Sequence, residues 1–427
     1  MSTAASAGMS VQAGASAELT GRRRLTDGEL AVFLEAHQRF VQGRPGGRRA
    51  NLKLIDFSGL NLNGRDLSDA DLSGSVFDGA KLVGARLDRA NLFGCNLRKA
   101  DMRRASLVRA DLRGACLRGA DLSGADLTQA DFRMGQVAIA HARRGLASIT
   151  HEDRFGDLEH AKFVGANLSG SKLEDASMCA ADMTECTLIG AKLARANLKS
   201  ARLHGAFIEG ADFAGANLDK ADFAGAVVDA TTLRHARQQG AATTGVLTDP
   251  SPDALARIEA LLAACEGHQA WCRGAGGAPA VLDDADLRPL GSRLRGFRLS
   301  AASARGAILV GLDLSGAHLQ GVNLEGADLR AVNLAGADLR GARLAGANLA
   351  KACLRKAILS PLAISADRSV MANLKGARLR HAAAPECDLS GANLEDADLW
   401  GADLTGACLK GANLEGARLE TAPGRSS

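Results

Sequence analysis

The sequence predicts an all-β solenoid with two stacks of short coils, each stack preceded by a short α-helical cap. A large apolar residue recurs at every fifth position over most of the 427-residue chain. Two stretches with helical character stand before the places where this repeat begins. Aromatic residues make up only 3% of the chain and tyrosine is missing. The core is therefore expected to consist mainly of Leu and Ala.

The five-residue repeat occurs over residues 52–132, 158–233 and 294–419. The apolar position holds mostly Leu and fails only at Ala304, Ser369 and Ala384. A period of five matches neither a helix nor a strand, so the chain must turn at each repeat. If four sides close a coil, residue n lies beneath residue n+20 at about 4.8 Å. The Leu then fills the interior, together with a small Ala two positions earlier.

Segments such as ADLSG and ANLFG carry this pattern. They resemble the A(D/N)LxG consensus of the pentapeptide repeat family. The resemblance implies the right-handed quadrilateral parallel β-helix of that family. It implies little about function, because family members have been linked to very different tasks.

The first predicted elements are a head and a cap. Residues 1–24 are small and polar at their start, with no apolar stretch typical of a signal peptide, and are expected to be a disordered head. Residues 25–49 are expected to form a helical cap, where Thr26 and Glu29 make a candidate capping box.

The first β-helix is expected over residues 50–235. Its two runs are separated by residues 133–157, which we expect to form one irregular coil within a continuous stack. A linker and second helical cap follow over 236–281, where Ser251 is a candidate N-cap and Pro252 suits the first helical position. The chain is therefore expected to divide near this second helix.

The second β-helix is expected over residues 282–420, followed by a tail at 421–427. Residues 360–371 lack the consensus. Leu354 and Leu374 nevertheless remain twenty positions apart, so this irregular stretch is expected to replace part of a coil without changing its length.

One short phrase stands before each set of coils, as EAHQRF and later as EGHQAW. A catalytic role would need a nucleophile, metal or pocket nearby, and the sequence indicates none. An open β-helix end exposes unpaired strand groups. We therefore expect the polar groups to bond the first coil's free backbone and the aromatic to close its leucine stack. These predicted cap residues are Glu35, His37, Gln38, Phe40, Glu266, His268, Gln269 and Trp271.

The strongest charge feature lies between Arg86 and Arg118, with nine basic residues against three acidic ones. The twenty-residue rule stacks like charges about 5 Å apart. Two interpretations stay open: a solvated face screened by water and Asp neighbours, or a contact for an anion or a partner. The candidate contact residues, here called the arginine belt, are Arg89, Arg98, Arg103, Arg109, Arg113 and Arg118.

Residues 386–420 are acidic, with a local net charge of −6. No capping helix is predicted after them. A leucine-filled last coil without a cap is a natural docking surface, so we expect homo-oligomerisation or partner binding through the C-terminal coils.

A metal-binding or enzymatic site within 141–160 is a third hypothesis. The ligand-type residues there lack a short metal-binding spacing, and a polar loop is the alternative. They are His141, His151, Glu152, Asp153, Asp157 and His160.

Other features argue against an enzyme. The sequence contains no nucleotide-binding glycine motif, and a packed Ala and Leu interior leaves no substrate cavity. No catalytic residue, metal or cofactor is therefore predicted. Nine cysteines without paired spacing and no stretch long enough to span a bilayer predict a cytoplasmic protein.

The sequence predicts a non-enzymatic scaffold or protein–protein interaction module with a rigid rod. The family resemblance supplies an alternative, because some members bind DNA gyrase by imitating the acidic surface of duplex DNA. Mimicry needs acidic faces along the rod, whereas this chain has a net charge of +4 and an arginine belt. Direct nucleic-acid binding is not expected either, because the charges are nearly balanced.

Overall fold

A computed structural model describes residues 22–143, 146–229 and 232–419, with side chains except at 138–151. The chain divides into two compact units, Met1–Leu247 and Thr248–Ser427. Most of the predicted head and all of the predicted tail lie outside the described residues.

Parallel bridges join residues one coil apart along both units, as for Asn51 with Asp71 and Asp111 with Asp131. The inward Leu72 donates its N–H to the carbonyl of Asn91 at 2.9 Å, and this pattern recurs along both units. Most sides carry a single bridge residue, so few extend into regular strands. The predicted stacking of residue n beneath residue n+20 is thereby confirmed, except at the insertions described below.

The described helices are α1 (Asp27–Val41), α2 (Pro252–Ala256), α3 (Ile258–Cys272) and a 3-10 turn (Arg288–Leu290). The regular strands are β1 (Gly135–Arg143), β2 (Leu146–Arg154), β3 (Leu362–Ser365), β4 (Arg368–Val370), β5 (Asp398–Leu399) and β6 (Arg418–Leu419). β1 pairs with β2 and β3 with β4 in antiparallel hairpins, whereas β5 and β6 pair in parallel. No described helix combines the length and the apolar character needed to cross a bilayer.

The inward positions form one hydrophobic cluster in each unit. Leu112 and Ala110, for example, expose 0% and 1% of their surface. A Leu with an Ala two positions earlier fills most sides, because two large side chains would crowd the narrow coil. Fully burying each Leu contributes roughly 1.5–3 kcal/mol, so many small contributions stabilise each rod.

Helical segments cover the first coil of each unit. In α1, Glu29 N–H donates to Thr26 Oγ1 and Glu29 Oε2 accepts from Thr26 N–H, which confirms the capping box. Leu25 is buried against the first cluster, and Leu30 and Leu34 pack beside it. Ser251 Oγ caps α2 by accepting from Ala254 N–H, with Pro252 in the first turn.

The expected irregular coil at 133–157 is wrong. Asp131 bridges to Lys172 and Cys116 bridges to Asp157, so the coils close without the intervening segment. The excluded residues form the β1–β2 hairpin at a corner of the rod. The two runs do form one continuous stack, as expected, because they share one hydrophobic cluster.

The expectation for residues 360–371 is also wrong. Leu354 N–H donates to the carbonyl of Ala383, and Arg343 bridges to Asn373. One coil is therefore thirty residues long here, and the ten extra residues project as the β3–β4 hairpin. An insertion of two full repeats keeps the five-residue frame, which is why the spacing of Leu354 and Leu374 was misleading.

The predicted end of the first β-helix at residue 235 is too early. Arg237, Ala242 and Leu247 bridge back to residues one coil before them. The segment from 236 to 247, which we expected to be linker, therefore forms three sides of a further coil.

Candidate functional sites

A buried histidine joins each cap to its first coil. His268 exposes 0% of its surface. Its Nδ1 accepts from Ala280 N–H at 2.9 Å, and its Nε2 lies 3.0 Å from the carbonyl of Ser300. Because Nδ1 is the acceptor, the ring is neutral and its proton lies on Nε2, which donates to Ser300. Burial lowers the pKa of His268 and so supports the neutral form.

The first cap repeats this arrangement. His37 is equally buried, and its Nδ1 accepts from Ala50 N–H at 3.0 Å. Ser68 takes the place that Ser300 has in the second cap, but its carbonyl does not reach hydrogen-bond geometry with Nε2. Burial is again the main cause of a lowered histidine pKa.

The aromatic residues of the paired phrase do not close the leucine stacks, contrary to expectation. Phe40 is 40% exposed and Trp271 is 44% exposed. Each ring instead lies beside its histidine, with centroids 5.8 and 5.4 Å apart. In the second unit, Leu261 and Cys265 of α3 join the core in their place. The aromatics lie beside the histidines because they follow them by three residues in the helix, which makes the two side chains neighbours.

The other polar residues of the phrase have different surroundings in the two caps. Gln269 Oε1 accepts from Arg298 N–H at 3.2 Å, on the first coils of the second unit. Glu35 pairs with Arg39 one turn later in α1. Gln38 and Glu266 are exposed, and no described residue forms a side-chain hydrogen bond with either.

The arginine belt encircles the rod rather than forming one face. Arg98 and Arg118 lie on the same side one coil apart, since Lys99 N–H donates to the carbonyl of Arg118. Arg103 falls on the next side and Arg113 on another, because each five-residue step changes the side. A flat partner would therefore contact only part of the belt.

Most belt arginines are already paired with carboxylates. These bidentate or double contacts neutralise charge locally, and Arg89 and Arg103 are the first causes of lowered pKa values at their aspartates. The pairs are Arg89 with Asp69, Arg103 with Asp101, Arg113 with Asp111, and Arg118 with Asp157 and Glu159.

Two belt arginines differ from the rest. Arg109 Nε donates to the neutral Gln129 Oε1 at 2.8 Å, and Arg98 has no carboxylate partner within the described part of the chain. The sequence contains a signal for this difference, which is an Asp two positions before the Arg. In DLR segments such as Asp111 to Arg113, the two charged side chains flank one inward Leu and point outward from the same side, so they can pair.

Three carboxylates of the acidic C-terminal region are paired with basic side chains of the preceding coil. Lys356 lies 3.4 Å from Glu386, Lys375 lies 2.7 Å from Glu395, and Arg380 lies 3.9 Å from Asp398. The local net charge counted along the sequence therefore overstated the acidity of this end.

The hypothetical metal site within 141–160 does not assemble among the residues with described side chains. Asp157 pairs with Arg118, and the described residues contain no group of three or more ligand-type side chains placed to hold a metal. The side chains of His141 and His151 lie outside the description, so their part of the hypothesis stays a prediction.

Comparison with known proteins agrees with the repeat geometry. The family model "Pentapeptide repeats" matches eight segments that cover more than half of the chain, at residues 49–89, 85–124, 161–199, 196–234, 280–321, 323–360, 372–411 and 386–420. No curated protein matches the chain.

Solved structures of other pentapeptide repeat proteins are similar at low identity. HetL, from the cyanobacterium Nostoc and involved in heterocyst differentiation regulation, is 21% identical over 92% of this chain and 96% of its own, with a TM-score of 0.15. Trypsin-treated QnrB1, a plasmid-mediated fluoroquinolone resistance protein, is 17% identical over 50% and 97%, with a TM-score of 0.31. Rfr23, from the cyanobacterium Cyanothece, is 26% identical over 28% and 64%, with a TM-score of 0.14. The eight matched repeat segments show that this chain belongs to the pentapeptide repeat family.

Proposed function

We propose that this chain is a non-enzymatic scaffold or protein–protein interaction module, built from two right-handed quadrilateral β-helices. The observation that carries the proposal is the closed interior of the coils. Inward residues such as Leu97 and Leu334 are 0% exposed, and a core packed in this way offers no space for a substrate. The outer sides and corners are then the surfaces that a partner meets.

Acidic partners are proposed to contact the first rod at Arg98 or at Arg109, which lie on opposite sides of the coil. Both lack a carboxylate partner in the described residues, so binding an acidic partner there breaks no existing ion pair. Arg113, in contrast, already makes two bonds to Asp111, which a partner would have to replace. Charge that is not yet compensated contributes more to encounter and binding.

The test compares matched variants of the full chain as bait in an extract of the source organism. Arg98→Gln with Arg109→Gln is expected to lose a partner that the wild type retains. Arg113→Gln should lower retention less, and circular dichroism controls for folding. Equal retention of the partner by all variants would show that the arginine belt is not part of the contact. If the wild-type bait retains no specific protein, the proposed interaction function itself is contradicted.

Self-association through the C-terminal coils is a second proposed activity. Leu404, Leu409 and Leu414 are only partly buried. Within the described residues, their backbone N–H groups have no acceptor, unlike those of the preceding coil. Such an edge is a template for pairing. Light scattering should show a dimer that Leu409→Glu disrupts and the outward Lys410→Gln does not; a monomeric wild type contradicts this activity.

Imitation of DNA is not proposed for this chain. The C-terminal carboxylates Glu386, Glu395 and Asp398 lie beside basic side chains, so they do not form a continuous acidic face. A supercoiling assay with DNA gyrase should accordingly show no inhibition at micromolar protein.

A further inference from the structure

A surface depression of about 550 Å³ lies on one side of the first rod. The stacking explains why space is left there. Arg109 and Gln129 occupy equivalent turn positions in successive coils, and the next two equivalent positions hold Gly170 and Gly190. A Cβ at Gly170 would lie 3.5 Å from Gln129 Cγ, whereas a Cβ at Gly190 would meet nothing within 4 Å. The column of side chains therefore stops, and the depression begins.

Two lysines of successive coils line the depression. Lys172 and Lys192 are joined by a parallel bridge, so their backbones are directly stacked. Lys172 Nζ lies 3.6 Å from Asp131. For Lys192, no carboxylate lies within ion-pair distance among the described residues. Two stacked like charges repel each other, and an anion between them would remove that repulsion.

Two further lining groups, Gln129 and Arg109, can donate hydrogen bonds. Gln129 Oε1 already accepts from Arg109 Nε at 2.8 Å, so the amide group of Gln129 remains to donate. Arg109 in turn keeps its terminal guanidinium nitrogens for another acceptor. Both groups adjoin the lysines in the lining of the depression.

The two carboxylates in the lining of the depression, Asp111 and Asp131, are engaged by arginines. Asp111 accepts two bonds from Arg113, and Asp131 accepts two from Arg133, at 2.7–2.9 Å. Glu174 lies outside the lining; it contributes to the raised pKa of Arg133, of which the hydrogen bond to Asp131 is the first cause. The cations facing the depression without a carboxylate partner among the described residues are therefore Arg109 and Lys192, with the Gln129 amide and the Asp131-paired Lys172 beside them.

We propose that this depression is a binding site for a phosphate-type oxyanion, held by Arg109, Gln129, Lys172 and Lys192. A phosphate group offers several acceptor oxygens and at least one full negative charge, which matches a set of donors with three cations. The site goes beyond the proposed interaction function, because it binds a small anion without a protein partner.

The test uses isothermal titration of the full chain with inorganic pyrophosphate at low ionic strength. The wild type is expected to bind one pyrophosphate saturably. Arg109→Gln with Lys192→Gln should weaken binding by about a hundredfold, roughly tenfold for each charge-assisted contact removed. Lys199→Gln is the matched control, because Lys199 is an exposed lysine of the same rod on another side. It should bind within about twofold of the wild type.

Two outcomes overturn the site. One is the absence of saturable binding by the wild type, and the other is equal weakening by Lys199→Gln and by the double variant, which indicates general electrostatic attraction. A second arm titrates ADP. If ADP and pyrophosphate bind equally and the double variant loses both, the phosphates alone are recognised. Unchanged melting temperatures of the variants show that the rod itself is intact, and neither arm depends on a protein partner.

Discussion

Replacing His268 by phenylalanine is expected to loosen the second cap by about 2–4 kcal/mol. The phenyl ring keeps the bulk beside Trp271 but cannot accept from Ala280 N–H or donate to the carbonyl of Ser300. Ala280 is 4% exposed, so its N–H loses its partner without gaining water. An unsatisfied buried group costs about 1–3 kcal/mol, and Ser300 adds less because it is only half-buried.

Hydrogen exchange measured by mass spectrometry on the full chain tests this prediction locally. A loss of 2–4 kcal/mol corresponds to exchange about thirtyfold to a thousandfold faster at Ala280. Trp271→Ala is the control, since it removes an exposed ring and neither hydrogen bond. The reasoning is refuted if His268→Phe exchanges within about threefold of the wild type, or if Trp271→Ala accelerates exchange as strongly.

Three further outcomes are expected. Both cap histidines have lowered pKa values in the folded state, so the unfolded chain binds more protons and the free energy of unfolding should fall as pH drops below about 6.5. Urea unfolding at pH 7.5 and 5.5 should show a smaller loss of this free energy in the His37→Phe, His268→Phe double variant than in the wild type. Gly277→Ala should destabilise the second cap by at least about 2 kcal/mol, because its Cβ would overlap the Gly267 carbonyl oxygen, whereas Gly276→Ala, with a similar positive φ but open space, should cost only about 1 kcal/mol. Equal melting temperatures of the two variants would contradict this steric explanation. Deleting residues 135–155 restores the five-residue step from Phe132 to Leu158, so the circular dichroism spectrum and the melting temperature should remain close to those of the wild type. Loss of the β-helix spectrum in this deletion variant would show that the hairpin is part of the core.

Much of the coil could be predicted because the controlling constraint is local. The five residues of one side are enough to predict that Leu112 and Ala110 point inward and that Asp111 and Arg113 point outward. The Thr26 capping box is local in the same way, since its bonds span three residues. The histidine phrase could be placed at the start of each rod, but not its bonding, because Ala280 and Ser300 come together with His268 only when the coil has closed.

The β3–β4 hairpin could not be predicted from spacing. A segment between two repeats can join the stack or leave it, and both outcomes preserve the frame when its length is a multiple of five. Pro361 lacks the N–H that a coil side would donate, and Ser369 lacks the apolar group that would fill the interior. Stacking Leu354 on Ala384 avoids both defects, at the small entropy cost of a longer loop.

The repeat, the inward and outward positions and the helical covers follow from the amino-acid order alone, because each depends on residues within about one turn. The folded coils are needed to show which repeats stack on each other, which arginines meet carboxylates, and where Gly170 and Gly190 leave the depression beside Lys172 and Lys192. These features depend on contacts between successive coils. A two-repeat insertion shifts the contacts between coils without disturbing the five-residue pattern, so the pattern alone cannot predict these contacts.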